Sequence, residues 1–130
     1  MKTQQELLTL DDIKRLVDVF YERIKNNNLL APVFNELIKD KWPQHMGKMY
    51  RFWQTVLLEE HTYLGSPFLP HANLPVNHEH FVEWLTLFNK TVDELFTGAK
   101  AEEAKWRAAK MAEMFENKIA YFKSNPFNIL

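Results

Sequence analysis

Apolar residues recur along this chain at helical spacing. After Ile13 come Leu16, Val17, Phe20, Tyr21 and Ile24, at +3, +4, +7, +8 and +11. That spacing puts all six on one face of an α-helix. A second stripe runs through His45, Met49, Phe52, Trp53, Val56 and Leu57, and a third through Phe81, Trp84, Leu85, Phe88, Val92, Leu95 and Phe96. A fourth carries Ala104, Ala108, Met111, Ala112, Phe115, Ile119 and Phe122, where small residues permit close approach to a neighbouring helix. No stretch alternates convincingly as a strand. Glycine occurs only at Gly47, Gly65 and Gly98, which leaves no glycine-rich phosphate loop and little room for tight hairpins. The expected fold is all-α, four long helices plus short ones.

The boundaries follow from local chemistry. Thr9-Leu10-Asp11-Asp12 is a capping-box-like start, and Asn26-Asn27-Asn28 ends the first helix. Leu29 to Phe34 leads into one or two helical turns ending near Ile38. The second long helix opens between Asp40 and Pro43, with proline tolerated in its first turn. Between Glu59 and Pro75 the pattern lapses, and Pro67, Pro70 and Pro75 permit at most a helical turn there. The third helix starts near Asn77 and takes Gly98 as its C-cap; the fourth runs from about Ala101 to Phe122.

Several function classes are excluded or disfavoured. A chain of 130 residues is expected to form one domain, 1–130, burying ~65–70% of the surface its unfolded form exposes. Sixteen basic and 17 acidic residues leave a net charge of −1, so no global field recruits nucleic acid or an anionic membrane. Without cysteine there are no disulfides, thiolate metal sites or cysteine nucleophiles. Neither a signal-peptide pattern nor a membrane-length apolar run is present, so the expected location is the cytoplasm. Aromatics make up 14% of the chain, which suits a packed helical core and equally suits a flat apolar ligand.

Four side chains raise a question of chemistry. Tyr21 lies on a buried stripe, so its hydroxyl needs a partner in the core; a backbone carbonyl would serve. His45 fits a satisfied core histidine, and Trp84 fits core packing with its indole N–H bonded nearby. His71 departs from the stripes. It stands in Phe68-Leu69-Pro70-His71-Ala72-Asn73-Leu74-Pro75, thirteen residues before Trp84, in an apolar setting unusual for a solvated loop histidine. Imidazole is the commonest protein ligand of transition metals, and ligation of a haem iron would explain those surroundings. The pair His78 and His80 is a weaker metal candidate, because i and i+2 diverge at a helix start. Trp106 lies off its helix's stripe, beside Lys110 and Glu113, as a partly covered surface residue or a partner contact.

Taken in order, these positions resemble the truncated haemoglobins, most closely their third group. The matching features are Phe20-Tyr21, Pro32-Val33-Phe34, and His45 followed by Met49, Phe52 and Trp53. They continue through Tyr63-x-Gly65-x-Pro67, Pro70-His71-x-x-Leu74-Pro75 and Trp84. The resemblance runs from about Ile13 to Phe122. Glycine-pair motifs typical of the first group are missing, and Pro70 stands where the second group usually has an arginine.

The resemblance implies a shortened globin fold, two helices over two, around a b-type haem and its iron. His71 would be the proximal iron ligand, Tyr21 and Trp84 the distal hydrogen-bonding pair, and His45 the distal gate. Phe34, Met49, Phe52, Trp53 and Leu74 would line the pocket, and Lys48 and Arg51 would reach the propionates. The implied ligands are oxygen, nitric oxide and carbon monoxide, with an unidentified reductase as electron source and a monomer as the expected state. Two donors aimed at a gas that gains negative charge on binding predict slow release, each donor being worth ~1.5–3 kcal/mol. The same pocket suits a peroxidase or nitric oxide dioxygenase, and a haem-free helical interaction domain is the remaining alternative.

Overall fold

The first four helices each begin where a side chain satisfies free backbone N–H groups or where proline makes one unnecessary. The computed structural model describes residues 4–63 and 74–124. Their order is β1 (Gln5–Glu6), α1 (Leu10–Lys25), α2 (Ala31–Ile38), α3 (Trp42–Leu58), α4 (His78–Leu95), β2 (Phe96–Thr97) and α5 (Ala99–Ser124). At α1, Thr9 Oγ1 accepts from the Asp12 N–H at 3.2 Å while Asp12 Oδ2 accepts from the Leu8 and Thr9 N–H groups at 2.9 and 3.0 Å. Asn77 caps α4 in a second capping box, with His80 as its reciprocal partner. Helices α2 and α3 instead carry proline in their first turn.

The apolar stripes face one another. Helix α1 lies against both α3 and α4, and α5 packs on α4. Ile13, Leu16, Val17, Phe20 and Ile24 of α1 are all buried, each contributing about 1.5–3 kcal/mol relative to exposure. On α5 the buried residues Ala101, Ala104, Ala108 and Ala112 recur every three or four positions, which lets its backbone approach α4 closely. Arg23 at the end of α1 donates to Thr91 Oγ1 at 3.0 Å and pairs with Glu94, fastening α1 to α4. Trp106 is 58% exposed on the outer side of α5.

Two boundary expectations are corrected. Residues Gln5 and Glu6 form a short parallel pairing with Phe96 and Thr97, so the described residues include two strand segments that no alternation announces. Gly98 is not the C-cap of α4. The pairing draws Phe96 and Thr97 into extended backbone, α4 ends at Leu95, and Gly98 stands immediately before α5. Its φ of +96° and the position of Glu6, 3.2 Å from where a Cβ would sit, explain why glycine occupies it.

Asp12 gives this frame a pH dependence. Partial burial pushes its carboxyl pKa up, but hydrogen bonds from Leu8, Thr9 and Gln5 outweigh that and hold it below the usual carboxylate range. A depressed native pKa contributes stability above the unfolded value that is lost as pH falls through the native one. Asp12→Asn is therefore expected to cost about 0.5–2 kcal/mol at pH 7 in urea unfolding, the scale of a lost cap. The gap to wild type should narrow as pH drops below about 4. A gap constant down to pH 3 would refute the charged role.

Candidate functional site

Three aromatic rings stack beside an open part of the core. Phe88 is buried between Trp53 (centroids 5.1 Å apart, 18° between planes) and Trp84 (5.6 Å, 8°), and Phe20 meets Trp84 and Phe88 edge-on at 5.5 and 5.2 Å. Beside this stack lies a cavity of about 380 Å³. Its walls are Phe20 and Tyr21 of α1, Val33, Phe34, Leu37 and Ile38 of α2, and Met49, Phe52 and Trp53 of α3. Phe81 and Trp84 of α4 and Met111 and Phe115 of α5 complete them, with Leu74 and Val76 ahead of α4.

Polar groups enter at defined places. Tyr21 is 6% exposed, and its ring is held edge-on by Phe34 at 6.0 Å, Trp42 at 6.1 Å and His45 at 5.1 Å. Burial alone pushes its phenol pKa far up, with no hydrogen bond from another described residue contributing. The hydroxyl is thus kept as a protonated donor. His45 lines the cavity with Trp42 edge-on behind it at 5.8 Å, and Lys25 Nζ sits 4.4 Å above the Trp42 ring. Lys41, Gln44 and Lys48 follow one face of the start of α3. Among the described lining residues the fixed charges, Lys41 and Lys48, are both positive and no carboxylate appears.

The structure brings Tyr21, Phe34, His45, Lys48, Met49, Phe52, Trp53, Leu74 and Trp84 together on one cavity. It does not bring Arg51 there. The Arg51 guanidinium lies back along α3, 3.4 Å from where a Cβ on Gly47 would sit. His71 lies outside the described residues, as do Phe68, Leu69 and Pro70. Lys41, Gln44, Tyr63, His80, Phe81, Met111 and Phe115 line the cavity without having been singled out for it. Phe81 shares the stripe of Trp84, and Lys41 and Gln44 precede Lys48 by seven and four positions, so spacing alone gave a signal for them. Among the described residues no group of three metal-binding side chains occurs. His78 faces Glu116 at 2.8 Å and His80 caps α4, which accounts for that pair without zinc.

Tyr63 reaches the wall by a contact between distant positions. Thr55 Oγ1 on α3 accepts from the Thr62 and Tyr63 N–H groups at 3.1 and 3.0 Å and donates to the Glu60 carbonyl at 3.0 Å. The chain after α3 is thereby folded back, and Tyr63 packs edge-on against Phe52 at 5.4 Å.

Packed helices around an aromatic-walled, basic-rimmed cavity define a small globin. The family model described as bacterial-like globin matches residues 7–119. A group 3 truncated haemoglobin from Campylobacter jejuni is 30% identical over 118 residues, covering 88% of this chain and 93% of that one. The crystal structure of a group III truncated haemoglobin from Campylobacter jejuni superposes with a TM-score of 0.83 at 30% identity, covering 90% of this chain and 95% of that one. The chain belongs to the group III truncated haemoglobins of the bacterial-like globin family. As a globin it binds haem and small gaseous ligands.

The residues present fit such a group. The cavity volume is within the ~300–1,000 Å³ usual for cofactor sites. Its apolar aromatic walls suit a flat macrocycle, its lysines suit carboxylate substituents, and the Tyr21 hydroxyl is a buried donor facing it.

Thr55→Val keeps the shape of the side chain and removes the acceptor of two N–H groups. The expected cost is ~0.5–1.5 kcal/mol in urea unfolding, the net worth of an ordinary hydrogen bond, with faster amide exchange at Thr62 and Tyr63. Unchanged exchange at both amides would show that Thr55 does not hold this segment.

Proposed function

We propose that this globin holds haem b through His71 and binds oxygen, or another diatomic gas, on the side lined by Tyr21, Trp84 and His45, releasing it slowly. The observation that carries the reading is the Tyr21 hydroxyl, buried at the cavity wall as a donor with no acceptor among the described residues. Leaving such a group unpaired costs ~1–3 kcal/mol, so its natural partner is a ligand in the cavity. Haem, when bound, supplies the iron at which the gas coordinates. The chain supplies the rest.

The assignment of His71 is supported from both ends of its segment. Tyr63 and Leu74, on either side of it in the chain, both line the cavity. Haem b, the form held without covalent attachment, suits a chain without cysteine, because thioether attachment uses a C-x-x-C-H motif. At the cavity wall, Tyr21 donates from α1 and Trp84 presents its indole from α4. Trp84 is held between the Phe88 face and the Phe20 edge, which limits the rotamers open to it. His45, backed by Trp42, lies edge-on against Tyr21 at the cavity wall, the place for a residue that gates an entering gas.

A second reading has a specific observation behind it. The His45 ring lies against Tyr21, placing an imidazole, a group able to take up or release a proton, beside a phenol at one cavity wall. That pairing suits proton transfer to and from a bound peroxide, and hence a peroxidase or a nitric oxide dioxygenase. Turnover of a reductant with peroxide or nitric oxide separates these from simple gas binding.

Hemin added to the apoprotein is expected to give a globin Soret band, and His71→Ala should lose proximal ligation and most haem affinity. Normal ligation in that variant would remove His71 from its role. In stopped-flow measurements Tyr21→Phe and Trp84→Phe should each speed oxygen release by roughly ten- to a hundredfold, the worth of one donor to a charged acceptor. If neither variant changes the rate, the two residues do not hold the gas.

A further inference from the structure

His80 occupies the third position of α4, where a capping box ordinarily carries glutamate or glutamine. Its Nδ1 lies 3.1 Å from the Asn77 backbone N–H, which it accepts, and 3.1 Å from Asn77 Oδ1. With Nδ1 acting as the acceptor, a neutral ring carries its proton on Nε2. The ring lines the cavity one helical turn before Trp84, on the same face of α4. His78, at the same helix start, is drawn instead to Glu116 and does not line the cavity. A glutamate at position 80 would satisfy the cap equally well but would bring a negative charge to a wall whose fixed charges are Lys41 and Lys48.

We infer that His80 is a third anchor, beside Lys41 and Lys48, for the carboxylate edge of the cofactor. Its Nε2–H donates to a carboxylate oxygen while Nδ1 holds the start of α4. The inference rests on the haem reading of the cavity and adds a residue to it. It also ties cofactor to fold: the ring that receives the carboxylate is the one that closes the capping box of the helix carrying Trp84.

The test compares hemin with hemin dimethyl ester, which has the same macrocycle without the carboxylate charges. Release to an excess of a haem scavenger is followed at the Soret band in wild type, His80→Gln and His80→Glu. Glutamine keeps both an acceptor for the cap and a donor for the ligand, so its hemin release should stay close to wild type. Glutamate keeps the cap and inverts the contact, so hemin should leave roughly tenfold faster or more, with release of the ester unchanged. Equal acceleration for both porphyrins, or for neither, would overturn the inference. Melting of the apoproteins checks that His80→Glu folds. If it does not, His80→Leu decides by the same criterion, selective loss of hemin over its ester. Wild type that took up neither porphyrin would overturn the haem reading itself, a separate outcome.

Discussion

The stack of Trp53, Phe88 and Trp84 is the interaction on which the remaining geometry depends. Phe88 stacks on Trp53 of α3 and on Trp84 of its own helix, both of which line the cavity, with both neighbouring planes within 18° of its own. Phe20 meets two of the three rings edge-on, the arrangement that ring quadrupoles favour, and so locks α1 to the stack. Tyr21, the next residue, is then turned along the helix toward the cavity. One aromatic cluster thus joins α1, α3 and α4 and supplies part of the pocket wall beside Tyr21.

The same cluster shows how far the sequence could be read. The stripes through Phe20, Trp53 and Phe88 were legible because helical periodicity is local, and so was the capping box, which needs only Thr9 and Asp12. Whether a given aromatic on a stripe fills the core or walls a ligand was not legible, since both put it on the buried face. Phe88 and Trp84 lie on one stripe and differ only in what stands opposite. The misplaced end of α4 has a related cause. Gly98 has the look of a helix C-cap, but Phe96 and Thr97 are extended because they pair with Gln5 and Glu6, some ninety residues earlier. Local signals carry no information about such a partner.

At the rim, periodicity and chemistry gave different answers. Lys48 and Arg51 are equally good candidates for carboxylates by residue type. Three positions apart on a helix they are near neighbours, yet Lys48 reaches the cavity while Arg51 lies back over Gly47. The absent side chain at Gly47 gives the guanidinium an alternative surface to cover. Lys41, just ahead of α3 and seven positions before Lys48, takes the place beside it. His80 was visible only as half of an unconvincing metal pair, because its value comes from serving a cap and a cavity at once.

These pieces explain why a chain of nearly zero net charge can select a charged cofactor. Net charge averages over the whole surface, whereas binding responds to the few groups that line the site. Here the rim offers two ammonium groups and the deep wall offers the Tyr21 hydroxyl, while the 17 acidic residues contribute nothing to the described lining. The best-suited ligand is therefore apolar across its body, anionic at its edge and electron-rich where it meets Tyr21. An occupant that offers no acceptor to Tyr21 leaves a buried donor unpaired, whereas the exposed lysines at the rim reward an anionic edge without requiring one. Selectivity in this pocket follows as much from excluding carboxylates in its wall as from the contacts it makes.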